Sequence, residues 1–96
     1  MKNPSLSLAS ALILEAVSNG HGYGFDIMEA TGLPSGTIYP ALRRLEASKL
    51  IRSDYVASAA AESQGPPRKC FRITAEGKRS LEAASKRFPV IASLRE

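Results

Sequence analysis

Residues 32–51, with the sequence GLPSGTIYPALRRLEASKLI, predict a tight turn, a helix and the start of a strand. Gly32 can take the left-handed backbone conformation that ends a preceding helix. Pro34 keeps the residue before it extended, and Ser35 then stands where an N-cap hydroxyl is needed. A short helix that opens after HGYG, residues 21–24, precedes this turn, so the pattern indicates a helix-turn-helix whose second helix is the reading helix.

The helix predicted from Ser35 has one apolar side and one cationic side. Ile38, Leu42 and Leu45 recur at helical spacing and form a single stripe for a core. The opposite side carries hydrogen-bonding and positively charged residues: Thr37, Tyr39, Pro40, Arg43 and Arg44. A helix of this length and charge fits the major groove of DNA, which admits one α-helix.

Pro40 lies inside this helix, where a proline removes an amide donor and clashes with the carbonyl four residues earlier. The cost disappears if the helical hydrogen bonds begin at about Thr37, because amides of the first turn have no partner within the helix. We therefore expect Ser35–Thr37 to form a tight lead-in turn, with Tyr39 and Pro40 in the first turn of the helix. That position suits contacts to base edges and phosphates.

Size and charge restrict the class of protein. The chain has 96 residues, enough for one domain with a thin core, which makes association into a dimer a source of added stability. Its net charge of +4 favours a nucleic acid or another polyanion as partner. A single cysteine excludes an intrachain disulfide, and the apolar run at residues 6–17 is too short to span a membrane. We expect a cytoplasmic protein without membrane association.

Residues 5–18, SLSLASALILEAVS, predict a first helix that ends at Asn19-Gly20. Apolar residues cover most of its circumference, which indicates burial on two sides. Either a second subunit or the C-terminal helix of the same chain can provide the second surface, and we favour the subunit because twofold assemblies are common. The residues expected at the dimer interface are Leu6, Leu8, Leu12, Leu81, Phe88 and Ile91.

Two strands follow the reading helix. Residues 50–56 and 68–74 alternate in polarity as strands do, and the small and polar residues 57–67 between them predict a loop. A hairpin directly after a reading helix is a wing. Its Arg68 and Lys69 are candidate phosphate or minor-groove contacts, although such charge can also serve to keep an edge strand from pairing with a neighbour.

The last predicted helix runs from Ala75 to about Phe88, with Thr74 as its cap and Pro89 kinking or ending it. Its apolar stripe consists of Leu81, Ala84, Phe88 and Ile91. We expect residues 1–75 to form a DNA-binding unit and residues 75–96 to pack on it and contribute to dimerisation.

Several motifs together resemble the PadR family of bacterial transcriptional regulators. They are HGYG at 21–24, DI at 26–27, TGL at 31–33, SGTIYPALRRLE at 35–46, LI at 50–51, GPPRK at 65–69, FRIT at 71–74 and EG at 76–77. The block at 35–46 is the most specific, because a Tyr-Pro pair inside a Leu/Arg-patterned helix is unusual. The resemblance covers about residues 8–80.

This resemblance implies a winged helix-turn-helix, mainly α-helical with a small antiparallel β-hairpin, in the order α1-α2-α3-β1-wing-β2-α4. It also implies a twofold dimer on a palindromic operator, with repression relieved by a small effector. Many members carry a long C-terminal helical domain for dimerisation, whereas here a single helix follows the wing, as in a short form. Cys70 stands where an aromatic residue is common.

The candidate contacts to double-stranded DNA come from the reading helix and the base of the wing. They are Ser35, Gly36, Thr37, Tyr39, Pro40, Arg43, Arg44, Arg68 and Lys69. Arg43, one turn after Tyr39, is the better candidate for the groove. Arg44 is a candidate for a phosphate contact or an internal ion pair, and Tyr39 can alternatively pack on the core.

Two other classes of function are compatible with the same sequence. The winged helix can bind a protein through Tyr39, Pro40 and the wing, with the basic residues incidental. The chain can also be a sensor of a small hydrophobic effector, held between subunits by Leu8, Leu12, Phe88 and Ile91.

Nothing in the sequence supports catalysis. His21 has no accompanying metal ligands, and Cys70 has no evident base to activate it. The glycines of residues 20–24 follow a helix and lack the spacing of a phosphate loop. We therefore expect no enzymatic activity, no metal and no cofactor.

Overall fold

A computed structural model describes residues 6–56 and 68–93 of the chain. Their elements are α1 (Leu8–Ser18), α2 (Gly24–Thr31), α3 (Ser35–Ala47), β1 (Ile51–Val56), β2 (Arg68–Ile73), α4 (Ala75–Arg87) and α5 (Pro89–Ser93). The mainly helical winged helix-turn-helix expected from the sequence is confirmed. The loop predicted for residues 57–67 lies outside the described residues.

Helix α1 is the central element of the core. The Ser7 hydroxyl accepts a hydrogen bond from the Ser10 amide at 3.1 Å and caps its start, and Asn19 ends it as predicted. The helix packs against α2, α3, α4, α5 and β2, which bury five of its apolar side chains and leave Leu8 exposed and Leu12 half-buried. The C-terminal elements of the same chain thus provide part of the second burial surface that the sequence analysis expects from another subunit.

The turn between α2 and α3 has the predicted glycine. Gly32 ends α2 with φ of 75°, and its amide donates to the Met28 carbonyl at 2.8 Å. Thr31 supports the turn, because its hydroxyl donates to the Ile27 carbonyl at 2.7 Å and accepts from the Leu33 amide at 3.2 Å. The two helices of the motif are therefore joined by a turn with internal hydrogen bonds.

The start of α3 differs from the prediction. Pro34, not Ser35, is the N-cap, and no side chain caps the helix. The Thr37 and Ile38 amides both donate to the Pro34 carbonyl, at 2.9 and 3.0 Å, so helical bonding begins at once. An N-cap residue needs an extended backbone and a carbonyl that is free to accept a hydrogen bond. Pro34 supplies both, and its lack of an amide hydrogen does not matter at this position.

Pro40 consequently lies in the second turn of α3, and the expected lead-in turn is part of the helix. The amide that Pro40 lacks would have donated to the Gly36 carbonyl, four residues earlier. Gly36 is exposed, so solvent can serve this carbonyl in place of the missing bond.

Strands β1 and β2 pair antiparallel in the register Ile51↔Ile73 to Val56↔Arg68. The Thr74 hydroxyl caps α4 as predicted by accepting from the Gly77 amide at 2.9 Å. Thr74 also bonds back to the residues just before β1. Its amide donates to the Leu50 carbonyl at 3.0 Å, and its hydroxyl lies 2.8 Å from the Lys49 carbonyl and 3.0 Å from the Leu50 carbonyl. The hairpin and α4 are therefore joined through Thr74.

A second short helix follows α4, whereas the sequence predicted a single C-terminal one. Phe88 breaks α4 with φ of −124° and ψ of 89°. Pro89 then begins α5, at a position where its missing amide is not needed. Ile91 is fully buried and returns this segment to the core that Leu81 and Ala84 also join. Among the described helices, none has the length and apolarity needed to cross a membrane.

Candidate nucleic-acid interface

The outward residues of α3 fall on two flanks. Its core stripe is Ile38, Ala41, Leu42 and Leu45, all of them buried. Successive residues are about 100° apart around a helix. Tyr39 and Arg43, four residues apart, therefore share one flank, whereas Arg44 projects from the other.

The hairpin is attached to the entry of α2. The Phe71 amide on β2 donates to the Gly22 carbonyl at 2.7 Å. A Cβ on Gly22 would lie 2.7 Å from the Cys70 sulfur and 3.0 Å from the Phe71 carbonyl oxygen, so only glycine allows this close approach. The HGYG segment, which the sequence presented only as the opening of a helix, thus positions the base of the wing.

Arg68 strengthens this attachment. Its guanidinium lies 4.2 Å from the centre of the Tyr23 ring, a cation–π contact between the first residue of β2 and the N-cap of α2. Both residues are at least partly accessible, so the charge stays near the surface. The wing base therefore presents a guanidinium in a defined place.

A groove of about 410 Å³ separates α3 from the hairpin. Its lining residues are Tyr23, Gly24, Phe25, Tyr39, Leu42, Arg43, Glu46, Arg68, Lys69 and Phe71. Four of the predicted DNA contacts meet there, namely Tyr39, Arg43, Arg68 and Lys69. Aromatic faces and cations side by side give a surface that attracts phosphate and stacks on planar groups.

Tyr39 belongs to this surface and not to the core. Its side chain is 43% exposed. Its ring rests against the first residue of α2, because a Cβ on Gly24 would lie 2.3 Å from the Tyr39 hydroxyl oxygen. The start of α2 therefore holds the ring at the edge of the groove.

The other candidate DNA contacts lie outside the groove. Ser35, Gly36 and Arg44 are exposed, and Thr37 and Pro40 are half-buried. Within residues 6–56 and 68–93, no ion pair involves Arg44, so the internal pairing that we had considered for it is not found there. Arg44 is available to an external anion.

Glu46 is a member of the groove that sequence reasoning missed. Its carboxylate accepts a hydrogen bond from the Ser53 hydroxyl at 2.6 Å, and the Lys69 ammonium lies 3.7 Å from the other carboxylate oxygen. Tyr23 and the 59% exposed Phe25 were also missed. The aromatic residues of HGYGF, at the start of α2, were the available signal for these two.

The residues expected at a dimer interface separate into two groups. Leu81 and Ile91 are buried within this chain, because α4 and α5 fold onto α1, and their side chains are not available to a second copy or to an effector. Leu8 is 42% exposed, and Leu6, Leu12 and Phe88 are half-buried at the edge of the core.

Among the described side chains, no group of three or more His, Cys, Asp or Glu is placed to hold a metal ion.

Residues 13–83 match the model of the family described as Transcriptional regulator PadR-like. A PadR family transcription regulator from Clostridium difficile is 31% identical, with a TM-score of 0.72 over 92% of this chain and 94% of that chain. A PadR-like regulator from Bacillus cereus is 29% identical, with a TM-score of 0.69 over 88% and 84%. A Streptococcus mutans protein is 27% identical, with a TM-score of 0.73 over 93% and 85%. No curated protein matches the chain.

Proposed function

This chain belongs to the PadR-like family of transcriptional regulators, and we propose that it is a cytoplasmic repressor that binds a palindromic operator as a homodimer. Its task is regulation through DNA and not catalysis, as in the family and its structural neighbours. The observation that carries the proposal is the groove in which Tyr39 and Arg43 of α3 face Arg68 and Lys69 of the hairpin.

The two flanks of α3 have different roles in this proposal. Tyr39 and Arg43 enter the major groove and reach base edges, because they lie on the flank next to the hairpin. The remaining candidates that carry a donor contact phosphates and fix the orientation on the duplex. They are Ser35, Gly36 and Thr37 at the start of α3, Arg44 on its other flank, and Arg68 and Lys69 at the wing base. Pro40, in the second turn of α3, has no donor and adds only apolar contact.

The homodimer is supported by apolar surface where α1 begins and α4 ends. The Arg87 guanidinium donates to the Leu6 carbonyl at 3.0 Å, which holds these two ends together. Leu8 in the first turn of α1 and Val90 in α5 are exposed, at 42% and 48%, and Leu6 and Phe88 are half-buried. We propose this terminal patch, comprising Leu6, Leu8, Leu12, Phe88 and Val90, as the twofold contact.

Leu8→Glu is expected to convert the dimer into monomers at micromolar concentration. The substitution places two carboxylates in an apolar twofold contact, where like charges cannot be solvated. The fold should tolerate it, because the first turn of α1 has no acidic residue and negative charge is favourable at a helix N-terminus. Light scattering measures the mass, and circular dichroism checks the fold. A Leu8→Glu dimer as tight as the wild type would contradict the terminal patch.

Random-sequence selection with the purified chain tests the function directly. We expect a twofold-symmetric motif whose half-sites lie about 10 base pairs apart, or a multiple of that distance, because reading helices of a dimer enter successive turns of one DNA face. A motif without symmetry would argue against the dimer, and the absence of any enriched sequence at moderate salt would argue against sequence-specific binding.

A further inference from the structure

Glu46 places a negative charge inside a groove that is otherwise cationic. It lies in the last turn of α3, and its two carboxylate oxygens face different strands of the hairpin. Oε2 accepts from the Ser53 hydroxyl on β1 at 2.6 Å, and Oε1 lies 3.7 Å from the Lys69 ammonium on β2. One side chain therefore joins the reading helix to both strands of the wing.

Lys69 is the cation that this arrangement restrains. Besides Glu46, its ammonium lies 5.5 Å from the centre of the Phe71 ring and 6.0 Å from that of the Tyr55 ring. The side chain nevertheless stays 41% exposed, so a phosphate can still approach it. Arg68, its neighbour in β2, rests on Tyr23 and has no carboxylate partner among the described residues. The two wing-base cations are therefore not equivalent.

On the premise of the proposed function, we propose that Glu46 is a specificity-determining residue that restrains Lys69 and sets the position of the hairpin relative to α3. Phosphate contacts add affinity for every duplex, whatever its sequence. A carboxylate beside Lys69 lowers that general affinity. A hairpin held in a fixed position favours the single orientation of the protein on DNA in which α3 contacts its specific bases. Glu46 thus increases the ratio of operator binding to non-specific binding.

The first test compares Glu46→Gln with the wild type on the selected operator and on random duplexes over a range of salt. The amide retains an acceptor for Ser53 and removes the charge. We expect affinity for random duplexes to rise about three- to tenfold and operator affinity to rise less, so that the ratio of operator binding to non-specific binding falls. The slope of log K against log salt should steepen by about 0.9, which corresponds to one more phosphate neutralised by the protein. An ion pair this exposed contributes little stability, so the variant should fold.

Glu76→Gln is the matched control. It changes the net charge by the same amount and also removes a carboxylate from an ion pair, with Arg79 on α4. We expect it to leave the ratio and the salt slope unchanged. If Glu76→Gln and Glu46→Gln have the same effect, net charge alone is responsible and the proposal is wrong.

A double-mutant cycle identifies the restrained cation. In a Lys69→Gln background, Glu46→Gln should change affinity for random duplexes less than about twofold, because no ammonium is left to release. Hydrogen exchange without DNA gives a separate readout, in which Ser53→Ala, which removes the hydrogen bond to Glu46, should speed exchange of the β1 and β2 amides.

The outcomes separate the two proposals. Wild-type binding to DNA with an unchanged ratio in Glu46→Gln overturns the role of Glu46 and leaves the regulator function intact. Wild-type protein that binds no duplex at low salt overturns the regulator function, and the role of Glu46 falls with it.

Discussion

Gly77→Ala is expected to lower the free energy of unfolding by about 3 kcal/mol, at the upper end of the usual cost of overpacking. A Cβ on Gly77 would lie 2.0 Å from the Leu50 carbonyl oxygen and 2.8 Å from Cγ1 of Ile73. The carbonyl cannot move aside easily, because it accepts a hydrogen bond from the Thr74 amide at 3.0 Å. Urea denaturation measures the change.

Gly36→Ala is the matched control for this prediction, because Gly36 is also a helical glycine. A Cβ there would meet nothing within 4 Å. Replacing the glycine should therefore raise the free energy of unfolding by about 0.5 kcal/mol, through reduced freedom of the unfolded chain. Equal destabilisation by the two substitutions would show that the contact with Leu50 is not the cause.

Arg43→Ala is expected to weaken operator binding by about 1–3 kcal/mol and to relax the sequence preference of the half-site. Arg43 is exposed on the flank of α3 that carries Tyr39, and it lines the groove toward the hairpin. An arginine there can bond a guanine edge with two donors, which alanine cannot replace. Mobility-shift titration on the selected operator, followed by selection with the variant, measures both effects.

Arg79→Ala separates the loss of a contact from the loss of a charge. Arg79 is an exposed cation on α4, paired with Glu76, and does not line the groove. Its removal should change operator affinity by less than about 0.5 kcal/mol, because only a distant, solvent-screened charge is lost. An Arg43→Ala variant no weaker than Arg79→Ala, with the same preferred sequence, would remove Arg43 from the base contacts.

The order of the elements from α1 to α4 could be predicted because the signals for it are local. Helical spacing of apolar residues, alternation in the strands, Gly32 at a helix end and Thr74 at a helix start all act within a few residues of chain. The prediction for the start of α3 was wrong for an equally local reason: the cap is Pro34, not Ser35, and the expected lead-in turn at Ser35–Thr37 is helical. Pro34 already has the extended backbone of a cap, so Ser35 was free to be helical.

What could not be predicted depends on partners distant in sequence. Gly22 is required by β2, almost fifty positions later, and Glu46 meets Lys69 only because the hairpin folds back beside α3. The apolar residues around α1 predict that the helix is buried on two sides. The pattern does not identify which element, or which subunit, packs on each side. In this chain α4, α5 and β2 pack on α1 in addition to α2 and α3, and Leu8 in its first turn stays exposed.

The bond from the Phe71 amide to the Gly22 carbonyl has a thermodynamic consequence for recognition. It holds the base of the hairpin against the entry of α2 before any duplex arrives. The rotational freedom of the backbone at that point was therefore lost when the chain folded, and docking does not have to remove it again. More of the contact energy with DNA is then left to appear as measured affinity.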